Sequence, residues 1–294
     1  MTTLGTPARD AADLRAVPGG GLRLAVLGVG VMGETLLSGL LRAGWTPDRI
    51  VGTDRRPERQ VELRAKYGIA MVDNIEAATD VHTVLLVVKP QDMADLLAEI
   101  GPVLTPGTLV VSLAAGVDTA SIEAQLPAGT PVVRVMPNTP AQVDEGMAAI
   151  SPGSSTTPEH LERVTEILSA TGRVVAVPER YQDAVTAISG SGPAYLFFVV
   201  EAMIEAGVHL GLPRDTATEL VVQTMLGSAK LLRETGEHPT VLRERVTSPG
   251  GTTAAAIRQL EDHKVRAAFL SAIEAARDRS RDLAEVSRHP GATA

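Results

Sequence analysis

Between Leu22 and Pro178, short apolar runs alternate with segments of helical pattern, and nothing else in the chain restricts its fold as strongly. The runs are "LRLAVLG", "RIVGTD", "TVLLVV", "TLVVSLA", "PVVRVM", "MAAIS" and "RVVAVP", each bounded by Gly, Pro or charged helix-like stretches. "GVMGETLLSGLLRAG" and residues 57–67 and 158–171 read as three of the intervening helices. Continuous Val- and Leu-rich strands between helices predict a parallel sheet covered on both faces. After about Tyr181 the strand signals stop, and helices are expected at roughly 192–210, 213–235 and 252–286. The 294 residues therefore divide into an α/β domain, 22–180, and an all-α domain, 181–294. Residues 1–21 mix charge, Pro and Gly without an apolar segment and read as a flexible leader.

Composition excludes several functions. The net charge of −8 repels phosphate backbones, so nucleic acid is not the expected partner. With no cysteine there are no disulfides, thiolate metal sites or cysteine nucleophiles. The six histidines form no HExxH pair, and no metal site is expected. The most apolar stretch, "AYLFFVVEAMIEAGVHLGL", carries Glu201, Glu205 and His209, so it reads as a buried helix rather than a membrane span. A cytoplasmic location is the expectation.

"GVGVMG", residues 28–33, fits G-x-G-x-x-G between an apolar strand and a helix, inside a strand–helix–strand unit. Such a turn reads as a Rossmann-type dinucleotide site. Gly28 permits the tight turn, Gly30 lets the pyrophosphate approach the backbone, and Gly33 lets helix and strand pack closely. Val29, Val31 and Met32 complete the turn, and the amides opening the helix attract the anion. Asp54, 21 residues past Gly33, stands where an acidic residue usually binds the ribose hydroxyls of NAD. Arg55 and Arg56 follow at once and suit the 2′-phosphate of NADP. The two signals conflict, and surface arginines opening a helix are an ordinary alternative. "VVKP", with Val88, Lys89 and Pro90, and "SLAAG", with Ala114 and Ala115, lie at strand ends where such cofactors sit, a plain solvated strand end being the alternative for Lys89.

A second constellation lies far downstream. In "VTSPGGTTAAAIRQLE" a polar, glycine-rich loop leads into a helix. Gly250 and Gly251 can take positive φ, so successive amides converge on an anion. Thr252 or Thr253 can cap the helix, and Ser248 adds a hydroxyl. Without a lysine the loop is no nucleotide P-loop; a small carboxylate suits it, with a functionless helix cap as the alternative. "SGSGPAY", 189–195, makes a similar polar entry into a helix.

Taken together, "LAVLGVGVMG", "VVKPQDM", "VSLAAGV", "RVMPNTPA", "DAVTAISGSGPAY" and "VTSPGGTTAAAIRQLE" resemble the pyrroline-5-carboxylate reductases from Leu22 to about Leu283. The resemblance implies NADPH-dependent, or NADH-dependent, reduction of 1-pyrroline-5-carboxylate to L-proline by hydride transfer to the C=N carbon. It implies a Rossmann domain and a helical dimerisation domain, a homodimer as the unit, and in many members a decamer. The substrate, a small imino acid, would lie between the nicotinamide and the "SPGGTT" loop. The family's substrate-contacting threonine falls on Thr253, and a cofactor position falls on Asn74. β-Hydroxyacid dehydrogenases share the general plan but place a lysine on the first long helix of the second domain. Here no lysine follows "SGSGPAY" before Lys230.

Overall fold

The structure is a computed structural model and describes residues 21–288. All but the last residue of the expected leader lies outside them. The described chain forms two compact units, one running to Gly190 and resuming at Arg277, the other spanning Ser191–Ala276.

In the first unit the strands are β1 (Leu24–Leu27), β2 (Ile50–Thr53), β3 (Ala70–Met71), β4 (Thr83–Leu86), β5 (Leu109–Ser112), β6 (Val132–Met136), β7 (Gly146–Pro152) and β8 (Gly172–Ala176). They make one sheet in the order β3-β2-β1-β4-β5-β6-β7-β8. The helices are α1 (Val31–Arg42), α2 (Pro57–Tyr67), α3 (Asn74–Ala78), α4 (Met93–Ile100), α5 (Thr119–Glu123), α6 (Pro158–Leu168) and α7 (Gln182–Val185). Every residue of β1 is buried because both sheet faces are covered. Leu24 and Val26 join a cluster with Leu36, Leu40, Leu63 and Ile167 from α1, α2 and α6. Ala25 and Leu27 face a second cluster with Ala77, Leu97 and Ile122 from α3, α4 and α5. This double burial is why the strand sequences are continuously apolar rather than alternating.

The sheet departs from the parallel expectation at one seam, where β6 and β7 run antiparallel with Val135 opposite Ile150. A parallel return needs a crossover of about a dozen residues or more. Only a short connection holding the 3-10 turn Thr139–Val143 separates these strands. β8 is parallel to β7 because α6 supplies a crossover. The two-residue β3 carried no readable signal and was not expected.

The first unit also ends later than the expected 180/181 boundary. Gln182 is fully buried and donates through Nε2 to Ser151 Oγ at 2.8 Å, which ties α7 to β7. A π-helical turn, Thr186–Gly190, follows. The unit is completed by the end of the last helix, α12 (Val265–Arg288), after α8 (Gly192–His209), α9 (Arg214–Thr235), α10 (Pro239–Arg245) and α11 (Thr252–Asp262). Ser280 Oγ donates to Asp183 Oδ1 at 2.8 Å, and Ala284 lies against Gly116.

The second unit is entirely helical. α8 and α9 approach closely enough that a Cβ on Gly207 would stand 3.0 Å from that of Ala217. Ala217 is the one fully buried residue of this unit. The expectation that α8 is a buried helix therefore fails for the single chain, in which Phe197 is 67% and Phe198 72% exposed. By length and composition the stretch Glu179–His209 could cross a membrane. The expected helix over 252–286 is interrupted, since Lys264 takes a left-handed φ of 58° between α11 and α12. α9 ends as the sequence suggests, on Gly236 with φ 62°.

Candidate functional site

Strand order reverses beside β1, which has β2 on one side and β4 on the other. A crevice opens beyond the carboxyl ends of strands at such a switch point. Here it is a cleft of about 760 Å³. Its walls include Gly28, Gly30, Val31, Asp54, Arg55, Arg56, Asn74, Val88 and Lys89 from the expected cofactor set. Gln60, Asp73, Asp92, Asp95 and Glu99 also line it, and no motif pointed to them.

The glycine turn fits a dinucleotide. Gly28 has φ 95°, and a Cβ there would stand 2.7 Å from Val87 O. A Cβ on Gly33 would stand 2.4 Å from Gly28 O. A Cβ on Gly30 would meet nothing within 4 Å, so this position borders open cleft. Gly30 is also the N-cap of α1 and offers no side-chain bond to the helix start. The helical ladder begins with Glu34 N–H to Gly30 O, 2.8 Å, leaving the amides of Val31, Met32 and Gly33 ahead of it. Those amides and the helix dipole suit a pyrophosphate.

Other expected residues are placed elsewhere. Val29 is fully buried and its amide donates to Thr53 O at 2.8 Å, so neither is free for a ligand. Ala114 is buried and its amide donates to Ser112 Oγ at 3.3 Å. Met32, Gly33, Pro90, Ala114 and Ala115 do not line the cleft, although Ala115 is exposed. Asn74 lines it and donates through Nδ2 to Glu99 Oε2 at 2.8 Å.

The two arginines after Asp54 take different partners. Arg56 donates to Asp54 Oδ1 through its amide at 2.9 Å and Nε at 3.0 Å, and to Oδ2 through Nη2 at 3.1 Å. Gln60 donates to the Asp54 carbonyl at 2.6 Å. The Asp54 side chain is only 8% exposed. Burial pushes its pKa up, but the bonds and charge of Arg56 outweigh burial and hold it below the usual carboxylate range. Asp54 is thus an ionised carboxylate whose charge Arg56 balances. Arg55 is 82% exposed and reaches Asp92.

The downstream loop belongs to the second unit. Ser248 O accepts from Gly251 N–H at 3.0 Å, and Gly250 has φ 69° after Pro249, as in a type II turn. Gly251 keeps a negative φ of −78° and is itself the N-cap, so only one of the two glycines is left-handed. Neither threonine caps the helix: Thr252 and Thr253 are its first two residues. A Cβ on Gly251 would stand 2.4 Å from Ser248 Oγ. The α11 ladder begins at Ala255 N–H to Gly251 O, 3.2 Å, so the amides of Thr252, Thr253 and Ala254 precede it. The local geometry therefore offers three amides and two threonine hydroxyls at a helix start.

Comparison with known proteins gives a consistent picture. Residues 179–283 match the family description "Pyrroline-5-carboxylate reductase dimerisation". Residues 23–116 match "NADP oxidoreductase coenzyme F420-dependent". The pyrroline-5-carboxylate reductase of Corynebacterium melassecola is 49% identical over 264 residues, covering 88% of this chain and 98% of its own. A pyrroline-5-carboxylate reductase structure from Coxiella burnetii superposes with a TM-score of 0.85 at 36% identity, over 89% of this chain and 98% of the other. The Plasmodium falciparum pyrroline carboxylate reductase with NADP bound superposes with a TM-score of 0.81 at 28% identity, over 90% of this chain and 98% of the other.

Proposed function

The chain belongs to the pyrroline-5-carboxylate reductase family, and from that premise we propose that it reduces 1-pyrroline-5-carboxylate to L-proline with NADPH, NADH being the alternative donor. The observation that carries the cofactor reading is the turn at Gly28 and Gly30 opening on the switch-point cleft. The pairing of Asp54 with Arg56 supports NADP over NAD, because it offsets the negative charge that would repel a 2′-phosphate.

The bound dihydronicotinamide supplies the hydride that reduces the C=N carbon. A protonated cyclic imine is already electrophilic, so the chain's own task is to bind and orient it. The amides of Thr252, Thr253 and Ala254 suit the substrate carboxylate, with Ser248 and Gly250 shaping the turn before them. The Thr253 hydroxyl is assigned the ring nitrogen, which it would hold by a hydrogen bond. The assembly unit is a homodimer built on the helical unit, with a decamer as the larger form, and the expected setting is the cytoplasm.

The test is oxidation of NADPH on addition of pyrroline-5-carboxylate, repeated with NADH. Robust turnover supports the reading, and its absence in folded, oligomeric protein overturns it. Thr253→Val should lower kcat by about 10²-fold or more while NADPH binds with near-normal affinity. Unchanged turnover removes Thr253 from the mechanism.

A further inference from the structure

The two arginines after Asp54 are not equivalent. Arg56 is committed to Asp54 by three bonds. Arg55 instead reaches away to Asp92, with Nη1 to Oδ1 at 3.3 Å and Nη2 to Oδ2 at 3.2 Å. Asp92 closes the 3-10 turn Pro90–Asp92 that follows β4, whereas Arg55 follows β2. These strands flank β1 on opposite sides, so the pair joins the two walls of the crevice above it. Both residues line the cleft.

We propose that Asp92 is a latch on the ribose end of the cofactor cleft: its carboxylate holds, on Arg55, the place that a 2′-phosphate takes, and so tunes selectivity between NADPH and NADH. The inference rests on the cofactor reading above and deepens it. A guanidinium fork accepts a carboxylate or a phosphate in the same two-bonded manner, but not both at full strength. The bonds to Asp92 exceed the 2.7–2.9 Å usual for charge-assisted pairs, and Arg55 is largely solvated. Such an exposed pair is weak and exchangeable. A phosphate near the dianionic state displaces it, at the cost of competing with Asp92 and lying near a like charge. NADH has no group that needs Arg55, so it does not meet this competition. Asp92 is therefore a positioning residue that works through Arg55, and it weakens NADPH rather than helping it.

Asp92→Asn keeps the side chain's size and removes its charge. Calorimetric titration of the full-length protein with NADPH, NADH and adenosine 2′,5′-bisphosphate reads the effect without turnover. The variant should bind NADPH and the bisphosphate about three- to tenfold more tightly, raising the NADPH-to-NADH affinity ratio accordingly. Asp92→Glu should restore the wild-type ratio, and Arg55→Ala should abolish most of the gain in the double variant. An unchanged ratio in Asp92→Asn, or the same gain without Arg55, overturns the latch alone. Failure of the wild-type protein to bind any of the three nucleotides overturns the cofactor reading and the latch together.

Discussion

Gly28 and Gly30 stand two residues apart and fail in opposite ways when given a side chain. At Gly28 a methyl group meets Val87 O at 2.7 Å in a backbone with φ 95°. Gly28→Ala should therefore cost about 1–3 kcal/mol of stability, read as a lower midpoint in thermal or urea unfolding. At Gly30 nothing lies within 4 Å. Gly30→Ala should leave stability within about 0.5 kcal/mol of wild type yet weaken NADPH binding measurably by calorimetry. Normal NADPH affinity in Gly30→Ala would remove the pyrophosphate from this turn. The glycines were legible because each close approach is written in one residue type at fixed spacing. Asp92 was not, because its partner Arg55 is 37 positions away and only the sheet order brings them together. Asp54 was half legible: its position was readable, but its neutralisation depends on which of two adjacent arginines turns back.

At the scale of elements, α1 and α2 are clasped by one carboxylate. Glu34 accepts from Lys66 Nζ at 2.9 Å, from Tyr67 Oη at 2.8 Å and from Arg59. Burial raises its pKa, but these three partners prevail and hold it at about 2 against an ordinary 4.5. A carboxyl group depressed in the folded state adds stability that is complete above about pH 4.5 and is lost as pH falls towards 2. Urea unfolding of wild type and Glu34→Gln should thus differ most near neutrality and converge only as the pH approaches about 2. A difference independent of pH would show that the clasp does not depend on the charge. The alternation of strand and helix was readable here, as was the helix from Pro57 to Tyr67, with Pro at its start and Gly68 at φ 70° after its end. The reversal of β7 was not readable, because an apolar run has no direction; a short connection decides it. Nor was the break at Lys264, where no Gly or Pro marks the turn between α11 and α12.

Across the whole molecule, the apolar pattern that suggested a buried helix is present, but one copy of the chain does not bury it. Leu196, Phe197, Phe198 and Leu226 stay exposed on α8 and α9. Apolar exposure on this scale fits an obligate contact between copies. Phe198→Asp should move the protein towards monomer in light scattering coupled to size exclusion, while the circular dichroism of helix is retained. An unchanged mass would place the contact elsewhere. The return of α12 to the first unit has a different consequence, one of timing. Ser280 and Ala284 complete a nucleotide-binding unit whose other residues end at Gly190. A ribosome makes chain from the N-terminus at about 5–20 residues per second, and domains usually fold as they emerge. Here the first unit must wait, with the back of its Gly116 loop uncovered, until the last helix of the described chain has been synthesised. Completion of the first unit therefore follows synthesis of the whole second unit, which lies between its two stretches of chain.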